Sequence, residues 1–92
     1  MSGIDTFLDA KGRIVKLPSK REARKEVLGY LAGKFSPGRD YTEKEVNAVI
    51  DEWHTFGDYF LLRRELIEKG LLCRTANGSR YWKDEETEGP AY

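Results

Sequence analysis

The sequence predicts an α+β domain of winged helix-turn-helix architecture, with three helices, a C-terminal β-hairpin wing and an additional N-terminal β-hairpin. Three observations predict it. Two helix starts carry the Ser/Thr-x-x-Glu pattern of a capping box, Ser19 with Glu22 and Thr42 with Glu45. Two amphipathic stretches are separated only by Thr55-Phe56-Gly57-Asp58, the short break a helix-turn-helix requires. Asn77-Gly78 lies between two extended runs, and Asn-Gly signals a hairpin because both residues accept positive φ at low cost. A chain of 92 residues supports one domain with a thin core, which excludes a deep two-lobed cleft.

Each element has its own justification. Residues 6–17 read as a hairpin turning at Lys11-Gly12, with Ile14-Val15 favouring extended structure. The first helix is expected over 19–35, with Ala23, Val27, Leu28, Leu31 and Phe35 at helical spacing. Gly29 and Gly33 each weaken it by roughly 1 kcal/mol relative to Ala, so packing must offset them. Ser36-Pro37-Gly38 stops it, since Pro lacks the N–H and Gly tolerates a left-handed turn. The second helix is expected over 42–54, capped by Thr42, stapled by Tyr41 against Val46, and burying Val46, Val49, Ile50 and Trp53. The third runs 58–69, capped by Asp58 and closed by Gly70, with Tyr59, Leu62 and Leu66 on its buried face. The wing spans 71–83, and alternation sends one of Tyr81 and Trp82 into the core. A flexible acidic tail is expected at 84–92.

Charge is balanced in total and uneven in place. Sixteen basic residues meet sixteen acidic ones. Nevertheless, residues 1–40 carry +4, residues 59–83 carry +4, and residues 84–92 carry −4 from Asp84, Glu85, Glu86 and Glu88. Such segregation creates local fields that a zero total hides. Lys20, Arg21, Arg24 and Lys25 crowd the start of the first helix, where the helix dipole disfavours cations. A bound anion, or the acidic tail folded back on them, would offset that cost.

Little in the chain suggests catalysis. One His and one Cys do not make a zinc site, which takes three or four nitrogen or sulfur ligands. His54 reads as a helix C-terminal residue favourable to the dipole, and Cys73 as a small buried hydrophobe. No phosphate loop, dinucleotide fingerprint or Ser-His-Asp arrangement is present. No enzyme activity, cofactor or metal is expected. With one cysteine and no apolar run long enough to span a bilayer, the chain reads as cytoplasmic, without a membrane partner.

Two binding readings remain open. In the first, the third helix and wing contact duplex DNA through Arg64, Arg80 and Lys83, with Arg74 and Arg63 in support. That reading requires these cations to converge on one outward surface. A helical wheel places Arg63 near the buried face, where an internal ion pair is the alternative, and places Glu65 and Glu68 outward beside Arg64. In the second reading Phe60 and Leu61, both outward on the same wheel, form a face for a homodimer or another regulatory protein.

The residues also resemble a known family. Phe7-Leu8-Asp9, Gly12-Arg13-Ile14, Leu17-Pro18, Lys20, Arg24 and Val27-Leu28 open the pattern. Tyr41-Thr42-Glu43-Lys44-Glu45-Val46-Asn47, Asp58-Tyr59 and Leu62-Arg63-Arg64-Glu65-Leu66 continue it, and Gly70-Leu71-Leu72 and Gly78-Ser79-Arg80-Tyr81-Trp82 complete it. Together they resemble the bacterial domain of unknown function 2087 family. The resemblance implies a winged-helix-like fold and a role in transcriptional regulation. It also implies occurrence alone or joined to regulatory helix-turn-helix or acetyltransferase domains. It supplies no catalytic residues. Beside a separate DNA-binding domain, such a domain is expected to serve as a partner-binding or sensory module.

Overall fold

A computed structural model describes residues 3–83; the acidic segment 84–92 lies outside the described residues. Helix α1 spans Arg21–Ala32, α2 Glu43–Glu52 and α3 Tyr59–Glu68. Three two-residue strands accompany them: β1 at Asp40–Tyr41, β2 at Cys73–Arg74 and β3 at Tyr81–Trp82. They form one antiparallel sheet of order β1-β3-β2. The result is an α+β arrangement compatible with a winged helix.

Helix starts follow side-chain chemistry where it is available. Thr42 accepts from the Glu45 N–H and the Glu45 carboxylate accepts from the Thr42 N–H, so the second capping box closes as expected. Asp58 accepts from the Leu61 N–H at 3.2 Å. The first box does not form. Lys20 occupies the N-cap of α1 without a side-chain bond. Arg24 donates to the Pro18 carbonyl instead, drawing the Leu17-Pro18 segment onto the helix start. At the other end Gly33 closes α1 by donating to the Gly29 and Tyr30 carbonyls, leaving Phe35 beyond the helix yet buried in the core.

The chain reverses at Lys11-Gly12 as expected, with a pairing shorter than the two strands expected over 6–17. A 3-10 helix, Gly3–Phe7, takes residues 6 and 7 of the expected hairpin, and one antiparallel bridge joins Leu8 to Ile14. It is flanked by bonds from the Asp9 N–H to the Arg13 carbonyl at 2.9 Å and from the Val15 N–H to the Phe7 carbonyl at 2.8 Å. The Asp9 carboxylate accounts for this, because it accepts from the N–H groups of Lys11 and Arg13 and competes with a strand ladder. Those bonds, the Arg13 N–H foremost, hold the Asp9 carboxyl below its ordinary range. Gly12 adopts φ +80 in the turn, and Tyr30 Oη donates to its carbonyl at 2.7 Å. A Cβ at Gly12 would lie 2.9 Å from that oxygen. Gly12→Ala is therefore expected to lower unfolding free energy by about 1–2 kcal/mol. An unshifted denaturant midpoint would refute this.

Strand register sets which side chains face inward. Tyr41 pairs with Tyr81 and Arg74 with Tyr81, so these three share a face; Asp40, Trp82 and Cys73 share the other. Tyr41 and Tyr81 are buried, which makes theirs the inner face and Trp82 the half-buried outer residue. The core joins Val27, Leu28 and Leu31 of α1, Val46 and Ile50 of α2, and Leu62 and Leu66 of α3 with Ile14, Phe35 and Leu72. Tyr59, expected on the buried face of the third helix, is instead 39% exposed. Phe60 beside it is exposed as well, so both aromatic residues of the first turn of α3 reach water.

Two polar links align the helices. Buried His54 follows α2, and its Nε2 lies 2.9 Å from the Asp58 N–H. An N–H can only donate, so Nε2 accepts and Nδ1 carries the proton, donated to the Ile50 carbonyl at 2.7 Å. The ring, just past the end of α2 where the sequence placed it, is thus a strut across the α2–α3 turn. Ile14 is threaded beside it, donating to Trp53 O and accepting from Thr55 N. Glu65, expected outward, is buried against α1, where its carboxylate meets Arg24 at 3.2 Å and Lys69 at 3.7 Å.

Candidate functional site

A groove of about 330 Å³ runs between α3 and the β2–β3 hairpin, lined by Phe60, Arg63, Arg64, Ile67, Glu68, Arg74 and Tyr81. Local chemistry builds both walls. On α3, positions 60, 63, 64 and 67 fall within about 100° of one another on the helix surface. On the hairpin, Gly78 at φ +74 lets the chain reverse, and Thr75 Oγ1 accepts from the Ser79 and Arg80 N–H groups. This places Arg74 opposite Tyr81 on the inner face.

The groove gathers three of the five cations that the DNA reading names. Arg63 is mostly buried and turned back on α2, where it donates to Asn47 Oδ1 and meets Glu43 at 3.4 Å. This is the internal ion pair that the wheel offered as its alternative. Arg74 spans the turn, donating to the carbonyls of Thr75 and Ala76. Arg64 is exposed, with only a 3.8 Å contact to Glu68.

The other two cations lie elsewhere. Arg80 belongs to the outer face of the sheet, where its guanidinium stacks 4.4 Å from the Trp82 ring and meets Asp40 at 3.7 Å. Lys83 reaches the end of α1, its Nζ donating to the Ala32 carbonyl at 3.2 Å. Sheet register thus separates Arg80 from Arg74, and the bridge between Pro37 and Lys83 separates Lys83 from both.

The apolar residues of the alternative reading also divide. Phe60 stands 56% exposed at the groove rim, under the Arg63 guanidinium at 5.5 Å. Leu61 is half-buried and does not line the groove. Phe56 and Tyr59 extend the exposed aromatic surface around Phe60. The wheel found Phe60; it could not reveal that Tyr59 escapes the core, because an angle on one helix does not show which neighbours cover it.

Among the described residues, no group of three or more His, Cys, Asp and Glu side chains is placed to hold a metal, and no helix is long and apolar enough to cross a membrane. Cys73 is a half-buried free thiol.

No curated protein and no solved structure matches the chain. A family model does, over residues 13–83, from the Gly12 turn through the last strand, and so spans α1, α2, α3 and the groove. The chain therefore belongs to the family described as an uncharacterized protein conserved in bacteria, domain of unknown function 2087.

Proposed function

We propose that the chain is a docking module without catalytic chemistry, whose groove between α3 and the hairpin receives a short segment of a protein partner. The single observation that carries this reading is Phe60, exposed above an apolar floor of Ile67 and Tyr81 and framed by arginines that the fold has already engaged. A segment inserting one apolar side chain and presenting one carboxylate to Arg64 matches that surface. Phosphates call for cations without other partners, and here Arg63 is committed to α2. A role in transcriptional regulation fits such a module as a recruiter of a regulator, acting through protein contact.

A second reading, duplex binding by the third helix and wing, draws on Arg64, which is exposed with only a 3.8 Å contact to Glu68, and on Arg74, which donates to backbone carbonyls of the turn. The two separate by selection of a random twelve-residue display library on the immobilised chain. The expected result is enrichment of segments pairing an apolar anchor with Asp or Glu, lost on Phe60→Ala and on Arg64→Glu. Enrichment indifferent to both substitutions, or none above background, would overturn the docking reading. Loss of duplex affinity in the Arg64→Glu/Arg74→Glu variant would favour the second.

A further inference from the structure

The positive surface with the fewest internal partners lies away from the groove. Two hollows adjoin at Ser19, which lines both. The larger, about 640 Å³, is bordered by Arg21, Arg24, Lys25 and Lys69, with Glu22 as its carboxylate. The smaller, about 190 Å³, is bordered by Lys16 and Lys20. Glu65 is shared between Arg24 and Lys69. Among the described residues, no ion pair involves Lys16, Lys20, Arg21 or Lys25. All four are exposed.

This surface and the groove occupy opposite flanks of α3. Glu65 and Lys69 project about 150° and 170° around the helix axis from the mean direction of Phe60, Arg63, Arg64 and Ile67. A partner on one flank does not obstruct the other.

We propose that this face, formed by Lys16, Lys20, Arg21, Lys25 and Lys69, is a docking surface for the phosphate backbone of a nucleic acid. The cations come from three separate pieces of chain: the segment before α1, the first two turns of α1 and the end of α3. Their charge is therefore spread along the surface, as a repeating line of phosphates requires and as a single compact anion does not. The side chains are long and solvated, which suits contacts that fix position without reading bases. Lys69 is held by Glu65, but no ion pair within the described residues calls for the charge of Lys16, Lys20, Arg21 or Lys25, and Lys20 and Arg21 stand where the dipole of α1 disfavours cations.

The test titrates the full chain with a mixed-sequence duplex at 50 and 200 mM salt, with polyglutamate as a competing polyanion of protein type. Neutralising about four phosphates gives a slope near −3.6 in log K against log salt, a loss of roughly a hundredfold across that range. The Lys20→Glu/Arg21→Glu/Lys25→Glu variant is expected to lose at least tenfold in affinity. The Arg64→Glu/Arg74→Glu variant should change it by no more than twofold. Because the triple substitution places carboxylates at the start of α1, its thermal midpoint should hold or rise, so lost binding cannot be lost folding. Weak or salt-independent binding by the wild type would overturn the proposal. So would equal affinity for polyglutamate, or a loss confined to the Arg64/Arg74 variant. A loss confined to the Arg64/Arg74 variant would also favour duplex binding at the groove, whereas the other outcomes leave peptide selection there unaffected.

Discussion

Replacing His54 with alanine is expected to destabilise the fold by about 3 kcal/mol, a large share of the 5–15 kcal/mol available to a small domain. The imidazole is 4% exposed and makes two hydrogen bonds, one to each side of the α2–α3 turn. Alanine removes both and leaves a cavity beside Phe56, whose ring packs edge-on at 4.7 Å. The Ile50 carbonyl keeps the Trp53 N–H, so the group left without its partner is chiefly the Asp58 N–H at the start of α3. A domain of this size moves about 4–8 °C per kcal/mol, so the thermal midpoint should fall by about 15 °C. His54→Phe refills the volume and supplies no hydrogen bond, and is expected to cost about 1 kcal/mol. If the phenylalanine variant melts with the wild type, packing alone accounts for the residue and the polar strut contributes nothing.

The second large effect belongs to Glu65. Its carboxyl lies below the ordinary glutamate range, chiefly because Arg24 hydrogen-bonds to it, with the charges of Arg24, Lys69 and Arg64 adding to the same direction. A depressed folded value means stability that is fully present above the unfolded value near 4.3 and lost as pH falls through the lower folded value. Glu65→Gln removes the charge while keeping the shape. It should cost about 2 kcal/mol at pH 7, below the 3–5 kcal/mol of a fully enclosed pair because Arg24 retains contact with water. The gap between wild type and variant should then narrow progressively as pH falls below the unfolded value, measured as denaturant midpoints across a series of acidic buffers. A gap that stays constant with pH would show that the carboxylate's charge is not what stabilises the contact. A double-mutant cycle with Arg24→Met should return most of the loss as coupling.

Both residues mark where the sequence was legible and where it was not. Capping at Thr42 and Asp58, the stop at Gly70 and the Asn77-Gly78 reversal are local chemistry, written within a few residues, and the structure bears them out. Glu65 read as an outward carboxylate because its angle on α3 alone could not show that α1 packs on that flank. Ser19 matched the capping pattern, yet Arg24 took the Pro18 carbonyl and moved the helix start to Arg21. The same limit governs the groove. Spacing identified Phe60 and Arg64 as outward residues, but the partition of Arg74, Arg80 and Lys83 among three surfaces depends on β1 pairing with β3, between residues some forty positions apart.

That pairing carries a consequence for synthesis. The strand made last sits in the middle of the sheet, so neither edge has its mate until Tyr81 and Trp82 are available. At about 5–20 residues per second, Asp40 and Tyr41 wait roughly 2–8 s after leaving the peptidyl-transferase centre before their partner is even polymerised. In that interval the helices can already collapse on one another and on Ile14 and Phe35, while the sheet waits for its keystone strand.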